Sequence, residues 1–282
     1  MTASPVALPR DSAGQAPRLR QRAATEASAL LAIAQRDVIK LLRDRPRLAV
    51  NLAFPVLLIA GLGGLLQATV GKVTGLSTIT LSFTGVLAAS LFQSSAAGMI
   101  SIVEDRENDF SRELFIAPVS RLTLLAGKIA GESAVAVSQG VCIVAFAIAF
   151  GVRMTGWQVL GLAGTGLASC LLGAAFGLAT IAALPNQRSA MQIFQFLIIP
   201  QYVLGGVLVP LAGAPRLLGA LAWLMPMRYC VDLTRAAFYA GTPGYARVVT
   251  GGPALDVIVI AAATVTLLSA GAALFSYRER VR

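Results

Sequence analysis

The chain has 282 residues, of which 56% are hydrophobic and only 13% charged, with a mean hydropathy of +0.75. Soluble domains carry about 25% charged residues, so a soluble globular protein is excluded and an integral membrane protein is expected. The formal charge of +10 fits the Lys and Arg bias of membrane loops. It does not suit nucleic acid, because few aromatics accompany the basic residues. Without histidine, and with only Cys142, Cys170 and Cys230 widely spaced, the chain offers no Cys/His metal site, no histidine triad and no histidine proton shuttle.

Residues 1–24 are rich in Pro, Ala and Arg and lack the apolar core of a secretory signal; they are expected as a disordered cytoplasmic tail. Over 25–46, Leu31, Ala34, Val38 and Leu41 recur at helical spacing, while Arg36, Lys40, Arg43 and Arg47 recur two residues out of phase. Two residues turn a helix by about 200°, so the two stripes oppose each other. The pattern predicts an amphipathic helix in the interface of an anionic leaflet, ended or kinked by Pro46.

Windows of about 20 apolar residues then predict six spans, at 48–67, 79–103, 124–150, 159–184, 192–211 and 255–275. They form a transmembrane domain over 48–276, with 277–282 as a C-terminal tail. Internal Gly and Pro, including Pro55, Gly61, Gly63 and Gly64, suit close helix packing in lipid. No internal repeat of the kind that builds secondary transporters is visible. Lys and Arg in alternate loops number seventeen on the side of the termini and six on the other, which predicts both termini in the cytoplasm.

Between the second and third spans lies EDRENDFSRELFIAPVSR, residues 104–121, too charged for lipid and therefore cytoplasmic. Glu104, Asp105, Glu107 and Asp109 favour a helix start by about 0.3 to 1 kcal/mol each near the terminus. Phe110, Leu114 and Ala117 share one face with Phe115 beside them, and Pro118 stops the helix. Asp105 with Asp109, and Asp109 with Glu113, are like-charge pairs at i, i+4 that weaken the helix itself. Charges that do not serve the helix are available to a partner protein, although an ordinary solvated loop has the same composition.

The region 212–254 is too long for a tight connection. Leu217, Leu218, Leu221, Leu224 and Met225 repeat helically between Pro215 and Pro226, too briefly to cross a bilayer, which predicts a re-entrant or interfacial half-helix on the external side. After it, Arg228, Asp232 and Arg235 share a face at i, i+4 and i+7, a spacing that permits two exposed ion pairs worth under about 1 kcal/mol each. The pattern suits a lid or a structural cap.

Three stretches resemble the ABC-2 type permeases, the membrane subunits of drug-efflux and polysaccharide exporters. They are EDRENDFSRELFIAPVSR, then FQFLIIPQYVLGGVLVPL from Phe194 with its glycine pair, and MPMRYCVDLTRAAFYAG from Met225. The resemblance covers nearly all of the chain after residue 25. It implies an all-α membrane fold with an N-terminal connecting helix. It also implies a cytoplasmic coupling helix seated in a separate ATP-hydrolysing subunit, with Glu104, Arg106, Glu107, Phe110, Arg112, Leu114, Phe115 and Pro118 as contacts. A dimer of permeases, identical or related, with two ATPase subunits in a bacterial inner membrane is implied too. Asn108 and Asp109 replace a frequent Gly, and Met225 stands where Asn is usual, which touches partner specificity.

The chain contains no GxxxxGK[ST] phosphate loop, so ATP and Mg belong to the partner, and no catalytic or metal residues are assigned here. An intramembrane enzyme or a proton-coupled carrier would need carboxylates within the spans; only Glu132, near the start of the third, and Asp256, at the edge of the sixth, occur there. The spans suit an amphipathic drug, lipid or glycolipid cargo. Gln93, Gln139, Gln192 and Gln195 are candidate path residues that interhelical hydrogen bonding would equally explain.

Overall fold

A computed structural model describes residues 15–67, 77–103, 121–182, 184, 186–208 and 215–281. Among the described residues all regular structure is helical. Helix α1 runs over Gln15–Arg43 and α2 over Arg45–Leu57, which continues through a π-helical turn, Leu58–Leu62, into α3, Gly63–Leu66. There follow α4 at Thr78–Gly98, α5 at Arg121–Ala149, α6 at Gly156–Ala182 and α7 at Gln187–Leu204. Three short helices, α8 at Arg216–Ala222, α9 at Pro226–Tyr239 and α10 at Tyr245–Val248, precede α11 at Pro253–Val281.

Among the described residues, four segments are long and apolar enough to cross a bilayer: Thr78–Val103, Thr123–Ala149, Gly156–Ala182 and Pro253–Leu274. They match the second, third, fourth and sixth expected spans to within three residues at each end. The first expected span holds a shorter apolar helix, Ala49–Leu65. The fifth, expected at 192–211, is occupied by α7, which starts earlier and stops at Leu204. There Gly206 takes a φ of 67°, a left-handed geometry that glycine adopts without a Cβ penalty. Helix α1 begins at Gln15, not at residue 25. Pro17 falls in its first turn, where a missing N–H costs nothing, and the Ala, Arg, Gln and Leu that follow are good helix formers.

Helix α4 is the axis of the bundle. Most of its length is buried, whereas the spanning part of α11 is mostly exposed. Phe83, Val86, Leu87, Phe92, Ala96 and Met99 are fully or almost fully enclosed, so α4 is apolar all round, as a core helix must be. Its closest neighbour is α6, and glycine explains how close. A Cβ on Gly173 would run into the carbonyl of Phe92, and one on Gly177 into the carbonyl of Ala96. The two glycines, four residues apart on one face, let backbone meet backbone, which is how membrane helices associate where no hydrophobic drive separates helix from lipid. Phe92 and Phe176 fill the flank of this seam, ring centroids 5.5 Å apart. Farther along α6, Gly161 rests on Ala237 of α9.

Replacing Gly173 or Gly177 by Leu is expected to force α4 and α6 apart and to destabilise the folded protein by about 1–3 kcal/mol or more. Gly164, which has open space around it, should accept Ala within about 0.5 kcal/mol. Thermal melts of the three variants in one detergent check the contrast.

Candidate functional site

Among the described residues, charged side chains buried between helices collect at the two ends of the bundle. At one end, α1 lies along the start of α5. A Cβ on Gly127 would stand 3.3 Å from Leu30 Cα and Ile33 Cβ, and one on Gly131 3.0 Å from Ala34 Cα and Asp37 Oδ2. The face of α1 that packs is therefore Leu30, Ile33, Ala34 and Asp37, at i, i+3, i+4 and i+7. This corrects the expected stripe: Ala34 belongs to it, but Leu31 is 67% exposed. The glycines of α5 select the narrow face of α1 that can approach closely.

Asp37 enters this seam as a charge. Its Oδ2 accepts from Lys128 Nζ at 2.8 Å, and Lys128 reaches Glu132 Oε1, one turn along α5, at 3.1 Å. Arg36 stands 3.3 Å from Asp37 Oδ1. Asp37, Lys128 and Glu132 are all at least nine-tenths buried. The Glu132 carboxylate also fills the space over Gly98 of α4, where any Cβ would collide with it. One cluster thus joins α1, α5 and α4. Glu132 lies inside it, buried between the helices.

Residues 104–120, which follow α4 and precede α5 in the chain, lie outside the described residues. Glu104, Arg106, Glu107, Phe110, Arg112, Leu114, Phe115 and Pro118 all fall there.

The glutamines divide in two. Gln139 Nε2 donates to the carbonyl of Asn51 at 2.6 Å. Asn51 is four residues before Pro55, whose missing N–H leaves that carbonyl without its helical donor. Gln139 repairs a helix broken by proline, the repair that apolar surroundings demand. Gln93 Oε1 accepts from Tyr202 of α7 at 2.6 Å. Both are interhelical ties. Gln192 and Gln195 are exposed on α7, whose buried stripe is only Ala190, Phe194, Ile198 and Gln201.

At the other end, α9 packs against α4, α6, α7, α10 and α11. Arg228, Asp232 and Arg235 are 8%, 4% and 3% exposed, which corrects the expectation of exposed ion pairs. Each charge is met mainly by backbone and hydroxyl groups. The Asp232 carboxylate accepts from the backbone N–H of Thr250 at 3.0 Å, of Gly251 at 2.6 Å, and from the Thr250 hydroxyl at 3.2 Å. Arg235 donates to the carbonyls of Gly206 and Val207, at 2.7 and 3.2 Å. Arg228 donates to Thr250 Oγ1 at 3.2 Å and stacks 3.8 Å above the Trp223 ring, an attraction worth about 0.5–2 kcal/mol. Burial lowers the Arg235 guanidinium to about 10, still protonated near neutrality. Cys230, buried beside them, is pushed up to about 12 by desolvation, so its thiol packs and does not react.

Two glutamines complete the cap. Gln201 Oε1 accepts from Met227 N at 3.2 Å, supplying the acceptor that Met225, the N-cap of α9, does not provide. Gln158 accepts from Thr155 N at 2.8 Å while Thr155 Oγ1 accepts from Gln158 N at 3.4 Å, a reciprocal capping box at the start of α6. The Gln158 Nε2 also donates to the Phe238 carbonyl at 2.8 Å. The Thr155 to Gln158 spacing made this box readable in sequence; the tie to α9 was not.

The description ABC-2 type transporter belongs to the family model that matches this chain, over residues 28–239. The match starts in α1 and ends with α9, taking in both clusters' anchoring charges. No curated protein matches the chain.

Asp232→Ala is expected to leave the backbone N–H groups of Thr250 and Gly251 without their acceptor, at a cost of about 1–3 kcal/mol. Thr250→Val removes only a hydroxyl and should cost about 1 kcal/mol. The order of the two melting temperatures in detergent tests the assignment of Asp232 as the centre of the cap.

Proposed function

The chain belongs to the ABC-2 type transporter family, as a membrane subunit of an ABC transporter, and on that premise we propose that it is an exporter permease driven by a separate ATPase. An amphipathic drug, lipid or glycolipid would move outward by alternating access. The family membership carries this reading, and two features of the chain support it. The chain has no phosphate loop of its own. Its most charged segment, 104–121, comes between α4 and α5 in the chain, the helices that meet at the buried Asp37, Lys128 and Glu132 cluster. Closure of two ATPase subunits would push that segment, and the helices would switch between inward-open and outward-open states, a two-state element biased by nucleotide.

In this reading the charged segment is the coupling helix and faces the cytoplasm with both termini, as the Lys and Arg distribution favours. The permease pairs with a second copy or a related chain. With Gln93 and Gln139 engaged between helices, Gln192 and Gln195 on the exposed face of α7 are the path candidates. ATP and Mg stay in the partner, and no residue of this chain is catalytic.

Arg112→Glu and Leu114→Ala should each insert normally, yet reduce stimulated ATP hydrolysis and export by about tenfold, the effect of losing one 1.4 kcal/mol contact. Both variants at wild-type hydrolysis and export would end the coupling assignment. Purification with an ATPase, followed by hydrolysis assays across phospholipids, glycolipids and cationic drugs, identifies the cargo class by the one that stimulates.

A further inference from the structure

We infer that Asp37 and Lys128 are positioning residues that make α1 and α2 travel with α5 during transport, so that the N-terminal helix is a driven part of the permease. This rests on the ATP-driven reading above. Residues 104–120 lie between α4 and α5 in the chain, so a push on that segment passes covalently into α5, the helix on which, among the described residues, α1 chiefly packs. The contact is of two kinds. Gly127 and Gly131 give a smooth, closely packed surface under Leu30, Ile33 and Ala34, which resists separation but offers little grip against sliding. The ion pair from Lys128 to Asp37 supplies the grip, because shearing it would leave charge in an apolar seam.

A second tie lies farther along. Leu30 meets Gly127, Ala34 and Asp37 meet Gly131, and Asn51 meets Gln139, so the contacts advance together and α1 and α2 follow α5 in one direction. Two attachments spaced along a helix pair fix both translation and rotation. Glu132 sets the reference for the movement. It holds Lys128 from below and sits on Gly98, so α4, the other root of the driven segment, bears on the same lysine.

The test uses spin labels at Leu31, Val141 and Val265, exposed positions on α1, α5 and α11, after Cys142, Cys170 and Cys230 are replaced by alanine. The permease is purified with its ATPase and distances are measured without nucleotide and with ATP plus vanadate. The distance from 31 to 141 should stay constant while both distances to 265 change by more than about 2 Å, the scale of helix shifts in switching transitions. In Asp37→Ala the 31 to 141 distance should become nucleotide-dependent, and Asp37→Glu should return it to constancy. The parent pair alone decides the matter if Asp37→Ala expresses poorly. A 31 to 141 distance that shifts in the parent, or stays constant in Asp37→Ala, overturns the inference. So does vigorous ATP hydrolysis with no change in any distance. Failure to bind any ATPase, by contrast, overturns the reading on which the inference stands.

Discussion

A lysine held between two carboxylates organises the end of the bundle from which the charged segment departs. Removing an ion from water costs several kcal/mol even after relaxation, so Lys128 is stable at its buried position only while Asp37 and Glu132 stay where they are. That requirement fixes α1 against α5 and, through Gly98, α5 against α4. The close glycine seams follow from the same need, since the carboxylates reach the lysine only if the helices approach at backbone distance.

The two ends of the bundle solve the problem of buried charge differently. Around Lys128 the partners are side chains, Asp37 on α1 and Glu132 on α5 itself. Around α9 they are mostly backbone groups: two N–H donors for Asp232 and two carbonyls for Arg235. Side-chain pairs can rotate as helices shift, whereas backbone partners tie a charge to the path of the chain itself. The α9 end is thus the stiffer of the two. Gln158 and Gln201 add to this by binding α6 and α7 to the same short helix.

The apolar spans were legible because length and hydropathy decide them, and four agree with the structure closely. The amphipathic helix before them was legible in kind but not in facing. Its packing side is chosen by Gly127 and Gly131, almost a hundred residues away in sequence, and the pattern along one helix holds no record of a partner's shape. Asp37 did leave a trace, as the carboxylate in phase with Leu30 and Ala34. Lys128 and Glu132 left another, as opposite charges one turn apart among Gly, Ala and Ile. Neither trace names the other. The cap misled more seriously. Arg228, Asp232 and Arg235 have the spacing of surface ion pairs, and only the loop from Val248 to Gly251, with its free N–H groups, turns them into buried anchors. Gln139 was visible as a polar residue in a span, yet its task follows from Pro55, on a helix distant in sequence.

The Asp232 cage also imposes an order on biosynthesis. Its donors, Thr250 and Gly251, come eighteen and nineteen residues after the carboxylate they satisfy. When α9 first leaves the ribosome its aspartate has no cage and Arg228 lacks Thr250, whereas Arg235 already has the Gly206 and Val207 carbonyls behind it in the chain. The cap therefore cannot close before Gly251 has been made. The segment matched by the family ends at Tyr239, but a chain stopped there would carry the lock without its keeper.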